Sequence, residues 1–395
     1  MAAARIVSFD FAKGFSILFV ASIHFGMYWS SPSWSGFFYV YYMISDCLAP
    51  VLFITMTIIG TFASRFKLEK KNAFIKSDYM RHLAEKSSYF LLIGTIFNIG
   101  FDAATGFHEG AWALIKMNIF SAVVIAQVIA HLVQNAKPGI KLVMLISLLI
   151  VKVPLESVVT PIATPAIMPG LFQNLAGILY FVLFVGNPIG LLDTIIIAFL
   201  VTLIAEQFVR CAIYEDRENI KMITRNLFHV SILLVLISIL CGGLATSSAP
   251  GEAAKFLESM GSAWPMDAIP LFLVRHSSWN LLFKVGVVLA LIVVLYRLID
   301  GRGKDDTIVV RRIATCGAYS FSIYVYHNIS AFVPLHLTWY GWIIASLLLS
   351  WLLVVIFNAW NDKLRGTGSF EWGARQWVAL FRVRQRAVRE LLAKR

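Results

Sequence analysis

Phe9-Asp10-Phe11-Ala12-Lys13-Gly14-Phe15-Ser16-Ile17-Leu18-Phe19-Val20-Ala21-Ser22-Ile23-His24-Phe25-Gly26-Met27-Tyr28-Trp29-Ser30 is the stretch that decides the class of this chain. It is long enough to cross about 30 Å of hydrocarbon, which takes roughly 20 mostly apolar residues. It is too long for the apolar core of a signal peptide, carries Asp10 and Lys13, and has no short apolar core followed by a small-residue cleavage site, so it is read as a retained first span. Ionisable groups inside a span face a bundle interior or a water-filled cavity. At about 100° per residue, Lys13 and His24 fall about 20° apart around the axis, and Asp10 lies within about 60° of both. One polar stripe thus runs from the inner end of the helix to its outer third. The plainer alternative has Asp10 and Lys13 snorkelling at the inner interface, with His24 hydrogen-bonded in a packed core.

The rest of the chain has the same character. Of its 395 residues, 59% are hydrophobic and 14% are charged, where soluble domains carry about 25% charged residues; the mean hydropathy is +0.76. Such a composition cannot coat a soluble protein of this length, which excludes a soluble enzyme, a DNA-binding protein and a disordered regulator. The net charge of +12 is located in the gaps between apolar runs: of 34 Lys and Arg, seven lie in 65–86, four in 210–225, four in 302–312 and nine in 361–395. That distribution marks the inner side of a membrane and not a nucleic-acid surface. The four cysteines (Cys47, Cys211, Cys241, Cys316) are scattered and suggest neither a disulfide framework nor a metal site.

Apolar runs at 9–30, 37–63, 87–106, 111–134, 139–159, 227–248, 281–299, 315–335 and 339–358 read as spans, and 171–209 is apolar but broken at Gly186-Asn187-Pro188. Placing every basic gap inside requires 171–209 to cross an odd number of times. One crossing gives an all-α polytopic bundle of about ten spans over residues 1–358, a multi-pass cell- or inner-membrane protein with both termini cytoplasmic; eleven or twelve spans is the alternative. Residues 359–395 form a basic cytoplasmic tail. Trp372, Trp377, Leu380, Phe381, Val388, Leu391 and Leu392 interleave there with six arginines from 370 onward, which suits an amphipathic helix on the membrane lipid, or else a solvated charged tail.

His24 is the natural general base. Asp46, in the returning second span, matches its depth within about 5 Å at 1.5 Å per residue, and a carboxylate there can orient the imidazole and stabilise its charged form. Pairing of Asp46 with Lys116, or with a hydroxyl elsewhere, is the alternative. Asn98, Asp102, Lys116 and Asn118 lie near the outer ends of their spans, with Arg275, His276, Asn280 and Lys284 near the outer mouth. His327 falls near mid-membrane among Tyr319, Ser320, Tyr324, Tyr326 and Asn328, a density of polar groups that points to a lined cavity or to packing hydrogen bonds.

Ser8-Phe9-Asp10-Phe11-Ala12-Lys13-Gly14 followed by apolar residues to His24 resembles the opening span of the transmembrane acyltransferase superfamily, which holds the acyltransferase-3 proteins and the heparan-α-glucosaminide N-acetyltransferase-like proteins. The basic-residue-to-histidine spacing of the first branch is kept, with Lys13 in place of arginine. Asp46-Cys47-Leu48-Ala49-Pro50 through Gly60, Tyr79-Met80-Arg81-His82, Gly110-Ala111-Trp112 and Cys316-Gly317 through Tyr324 and His327 look more like the second branch. The likeness covers 5–135 and 311–330 most strongly; 160–270 matches nothing nameable. It implies acyl transfer from a cytoplasmic acyl-CoA, usually acetyl-CoA, to a hydroxyl or amine of a glycan or lipid-linked acceptor, with His24 on the family's essential histidine.

On that reading Lys13, Arg65, Arg311 and Arg312 hold the anionic donor, His24 and Asp46 perform the proton chemistry, and Asn98, Lys116, Tyr324 and His327 line the acceptor side. No tightly bound cofactor and no metal is expected, since the sequence has no HExxH, GxSxG elbow, Walker lysine or dinucleotide fingerprint. The rival reading is a transporter or flippase for a small anionic or lipid-linked molecule, which the break at Gly186-Asn187-Pro188 and the intramembrane Lys152 and Glu156 also suit.

Overall fold

The computed structural model describes residues 6–29, 49–105, 118–163, 182–183, 190–244, 246–247, 269–273, 277–333 and 335–393. The helices in order are α1 (Val7–Trp29), α2 (Pro50–Lys70), α3 (Lys76–Thr105), α4 (Ile119–Val133), α5 (Pro138–Ala163), α6 (Leu191–Tyr214), α7 (Arg217–Leu244), α8 (Ser278–Leu298), α9 (Ile308–Ala318), α10 (Ser320–Tyr326), α11 (Trp339–Leu364) and α12 (Phe370–Ala393). A two-residue antiparallel pair, Thr246–Ser247 with Ile269–Pro270, joins the end of α7 to the turn before α8. Six segments are long and apolar enough to cross a membrane: Val7–Gly26, Pro50–Lys70, Leu191–Tyr214, Glu218–Leu244, Ser278–Arg302 and Trp339–Leu364. The chain is a helical membrane protein.

The helices divide by what surrounds them. Every residue of α2 from Pro50 to Ala63 except Gly60 is buried, as expected of a helix apolar on all sides and central to a bundle. Its proline occupies the first turn, where no intrahelical amide is lost. The helix α6 packs against α2, α4, α5, α7 and α8 and shares this interior. By contrast α7 and α11 expose Leu233, Leu240, Leu347 and Trp351, the side chains a lipid-facing surface requires.

Polar contacts tie the basic ends of the helices into one face. Lys70 Nζ donates to Ile213 O and to Glu215, both at 2.9 Å. Arg65 donates to Asn135 at 2.9 Å, and Asp300, just after α8, accepts from the amides of Val7 and Ser8 at 2.9 and 3.0 Å. The last contact supplies α1 with acceptors, carrying negative charge, for its unsatisfied first-turn amides. The helices α5 and α6 run antiparallel: Lys141 pairs with Glu206 at 2.5 Å toward this face, and Lys152 pairs with Asp193 at 2.6 Å deeper in. Lys152 therefore serves as half of a buried helix–helix ion pair.

The boundary expected at 358/359 falls inside α11, which continues to Leu364. Beyond it, α12 is anchored on α3: Trp377 Nε1 donates to Ser88 Oγ at 3.1 Å, and Gly373 lies so close to Tyr89 that an added Cβ would sit 2.2 Å from the phenol oxygen.

Candidate functional site

Two glycines set the crossing that builds the site. A Cβ on Gly14 of α1 would lie 1.9 Å from Ile313 O, and one on Gly317 of α9 would lie 1.9 Å from Asp10 O. Small residues at a crossing let two backbones approach closely. The contact holds α1 along α9 and its continuation α10, so His24 on the first helix comes level with His327 after the third.

The chain breaks at Tyr319 (φ −113°, ψ 27°) between α9 and α10. A break leaves helix-terminal amides to be satisfied, and the tail satisfies them. Glu371 at the start of α12 accepts from Phe321 N at 2.8 Å, Ser322 N at 3.2 Å and Ser322 Oγ at 2.5 Å. Ser322 Oγ in turn accepts from Phe370 N at 2.9 Å. Desolvation raises the Glu371 carboxyl above its ordinary range, and the hydrogen bonds from Ser322 and Phe321 pull the other way. Glu371→Ala is expected to lower stability by about 2 kcal/mol, since it strips several donors of their acceptor. Glu371→Gln, which keeps one acceptor oxygen, should cost less. Thermal unfolding measures the difference, and faster tryptic cleavage at the exposed Arg375 reports undocking of α12.

After Tyr326 the chain tightens into a 3-10 turn, His327–Phe332. His327, 3% exposed, places Nε2 2.7 Å from Nδ1 of His24, while its own Nδ1 lies 2.9 Å from Ile323 O. The side-chain amide of Asn328 also hydrogen-bonds His24, and its Nδ2 donates to Tyr324 O at 2.6 Å. The Tyr324 ring stands 6.2 Å from that of His24. Ser330 Oγ donates to His327 O at 2.7 Å, and Trp29 Nε1 donates to Ser330 O at 3.0 Å, which fastens the turn back onto α1.

Toward the basic face lies a cavity of about 690 Å³. Lys13, Lys67, Lys71, His82 and Lys86 line it, with Asp10 and Asp78 as the acidic members. Lys13 Nζ reaches across to α2, 3.6 Å from the position a Cβ on Gly60 would take. Neither histidine of the pair lines the cavity. Phe53 and Phe321, which do, pack edge to face at 5.3 Å. From Phe321 the rings continue to Phe90 at 4.3 Å and Phe120 at 5.3 Å, and from Phe120 to Tyr324 at 5.7 Å beside His24. Along α1 the distance from Lys13 to His24 is about 16 Å.

The structure thus brings together Lys13 at the cavity and His24, Tyr324 and His327 at the far end of the ring chain. Asp46 and Lys116 lie outside the described residues. Arg65 is engaged by Glu69 at 2.6 Å and by Asn135, while Arg311 and Arg312 are exposed on α9; none of the three lines the cavity. Asn98 accepts from Asn118 Nδ2 at 2.9 Å, and Asn118 caps α4 through Ser121 N. Asn280 is likewise structural, donating to Phe272 O at 2.8 Å and receiving the Ser277 cap. Sequence reasoning missed Lys67, Lys71, Lys86 and Glu371: the lysines were visible as part of the 65–86 charge cluster, whereas nothing local marks Glu371. Among the described residues no three His, Cys, Asp or Glu side chains converge as a metal site. No family model matches the chain, and no curated protein is detectably similar to it.

Proposed function

We propose that this protein is an integral membrane acyltransferase that moves an acyl group, in the first instance acetyl, from an acyl-CoA to a hydroxyl or amine of a glycan or lipid-linked acceptor. One observation carries the reading. A single helix, α1, presents a lysine to an internal basic cavity and, eleven residues on, an imidazole hydrogen-bonded to a second imidazole. The first end suits a phosphate-bearing molecule and the second suits proton transfer. A donor with a charged nucleotide head and a long thin arm ending in a thioester has the shape to engage both.

Lys13, Lys67, Lys71 and Lys86 neutralise the phosphates at the cavity. Arg65, Arg311 and Arg312, which do not line it, contribute at most to the field at its mouth. His24 takes the proton from the acceptor as it attacks the thioester carbonyl. We read ten crossings, with the basic face and both termini cytoplasmic; the gathering of basic helix ends on one face supports this.

The test is donor binding followed by transfer. CoA should raise the unfolding temperature of the detergent-solubilised protein, because a ligand at a hundredfold its Kd adds about 2.7 kcal/mol to the folded state. Lys13→Ala or Lys86→Ala should weaken binding about tenfold or more, the loss of one charge-assisted contact of about 1.5–3 kcal/mol. Labelled acetyl-CoA should then give labelled acceptor. Absence of any shift at millimolar CoA and acetyl-CoA counts against acyl transfer and in favour of transport of another anion through the same cavity.

A further inference from the structure

We propose that His327 is the positioning residue of His24: it accepts the Nδ1–H of His24 and so leaves Nε2 of His24 as the nitrogen that takes the proton. The chemistry of this inference rests on the acyl-transfer reading; the geometry does not.

The argument follows the protons. Ile323 O is a carbonyl and can only accept, so the ring nitrogen 2.9 Å from it, His327 Nδ1, donates. A neutral imidazole carries one N–H, which makes His327 Nε2 a lone pair. That lone pair faces His24 Nδ1 at 2.7 Å. Two lone pairs at this separation repel, so the proton between the rings belongs to His24 Nδ1. The tautomer of His24 follows, with its basic site at Nε2 on the opposite edge of the ring.

The arrangement is held from several sides. His327 is fixed by its own helix through Ile323 O, and its turn is fastened to α1 through Ser330 and Trp29. When His24 gains a proton, the bond to His327 Nε2 becomes charge-assisted and strengthens. A carboxylate does this for histidine in the serine hydrolases. A neutral imidazole does it without an ionised partner, whose desolvation inside a membrane protein costs several kcal/mol.

The reaction then balances. His24 Nε2 takes the proton of the acceptor O–H or N–H as that atom bonds to the thioester carbonyl carbon. The tetrahedral intermediate collapses, the C–S bond breaks, and the leaving thiolate takes the proton back from the imidazolium. Ester or amide and free thiol leave, and both rings return to their starting tautomers.

The experiment uses the full chain labelled with ¹⁵N-histidine, without substrate, with His24 assigned from the spectrum of His24→Asn. The expected spectrum has His24 protonated at Nδ1 and bare at Nε2, with coupling across the bond to His327 Nε2. In His327→Phe the fixed tautomer should be lost and kcat should fall about a hundredfold, with little change in KM for the donor. His327→Gln, whose amide oxygen can accept from His24 Nδ1, should recover much of the rate and restore the tautomer. A wild-type His24 protonated at Nε2, or a His327→Phe enzyme with wild-type kcat, overturns the proposal. If the wild-type spectrum is as expected and no acyl transfer is found with any acceptor, the acyl-transfer reading fails while the tautomer assignment stands.

Discussion

On the proposed function, His24→Asn is expected to transfer acyl groups at least about a hundredfold more slowly than the wild type, the usual size of a lost acid–base contribution, with CoA binding at the lysine-lined cavity nearly unchanged. The separation follows from the architecture. The cavity residues and the histidine pair share α1 but lie about 16 Å apart along it, and His24 lines no part of the cavity. Asparagine keeps much of the ring's volume and a hydrogen-bonding group for His327, so the loss cannot come from a void. Rates measured with labelled acetyl-CoA, beside CoA-induced thermal shifts, separate the two effects. A His24→Asn protein with wild-type transfer makes His24 a packing residue and sinks the reading of α1 as the catalytic helix.

The second large effect is structural. Alanine at Gly14 or Gly317 should destabilise the protein by about 3 kcal/mol, the upper end for overpacking a tight contact. The reason is unusually direct: the added carbon would stand 1.9 Å from a backbone oxygen of the neighbouring helix, and backbone cannot rotate out of the way as a side chain can. The helices must separate, and because both glycines sit at one crossing, the double variant should cost less than the sum of the singles. Thermal unfolding of the solubilised variants measures this. Unaltered unfolding temperatures for both single variants would show that α1 and α9 do not meet this closely. Transfer should fall as well, since the same crossing brings His24 level with His327.

Long helices were readable because a membrane leaves the backbone no other local solution: every amide must be bonded within the segment. The run expected at 281–299 is α8, Ser278–Leu298, almost residue for residue. The run at 227–248 is the outer part of α7, which starts ten residues earlier at Arg217, since polar residues can extend a helix beyond the hydrocarbon without marking where it begins. The run at 315–335 is less regular than its hydropathy suggests. It is divided at Tyr319 and again at Tyr326, and the first break is stabilised by Glu371, some fifty positions downstream.

Depth and direction were not equally legible in the site. Counting residues along α1 gives His24 a level, but level does not fix which neighbour it meets. Asp46 was matched to it on depth alone and lies outside the described residues; among those residues, His24 Nδ1 meets His327, approached from α10. Charge counting worked in the same partial way. It identified the basic face, yet could not tell that Lys67, Lys71 and Lys86 turn into the cavity while Arg311 and Arg312 turn outward, because one turn of a helix carries both directions.

The chain of rings from Phe53 and Phe321 to Tyr324 bears on timing. Nothing the size of a thioester passes between close-packed phenyl rings at rest, so on the acyl-transfer reading a cavity-bound donor that reaches His24 along this line needs Phe321 to swing aside. Phe321 is anchored through its backbone amide to the tail, so the frequency of that swing depends on a segment that touches neither reactant. On the acyl-transfer reading, the pace at which donor meets His24 would then be set by a rotating side chain and not by the chemistry of the thioester.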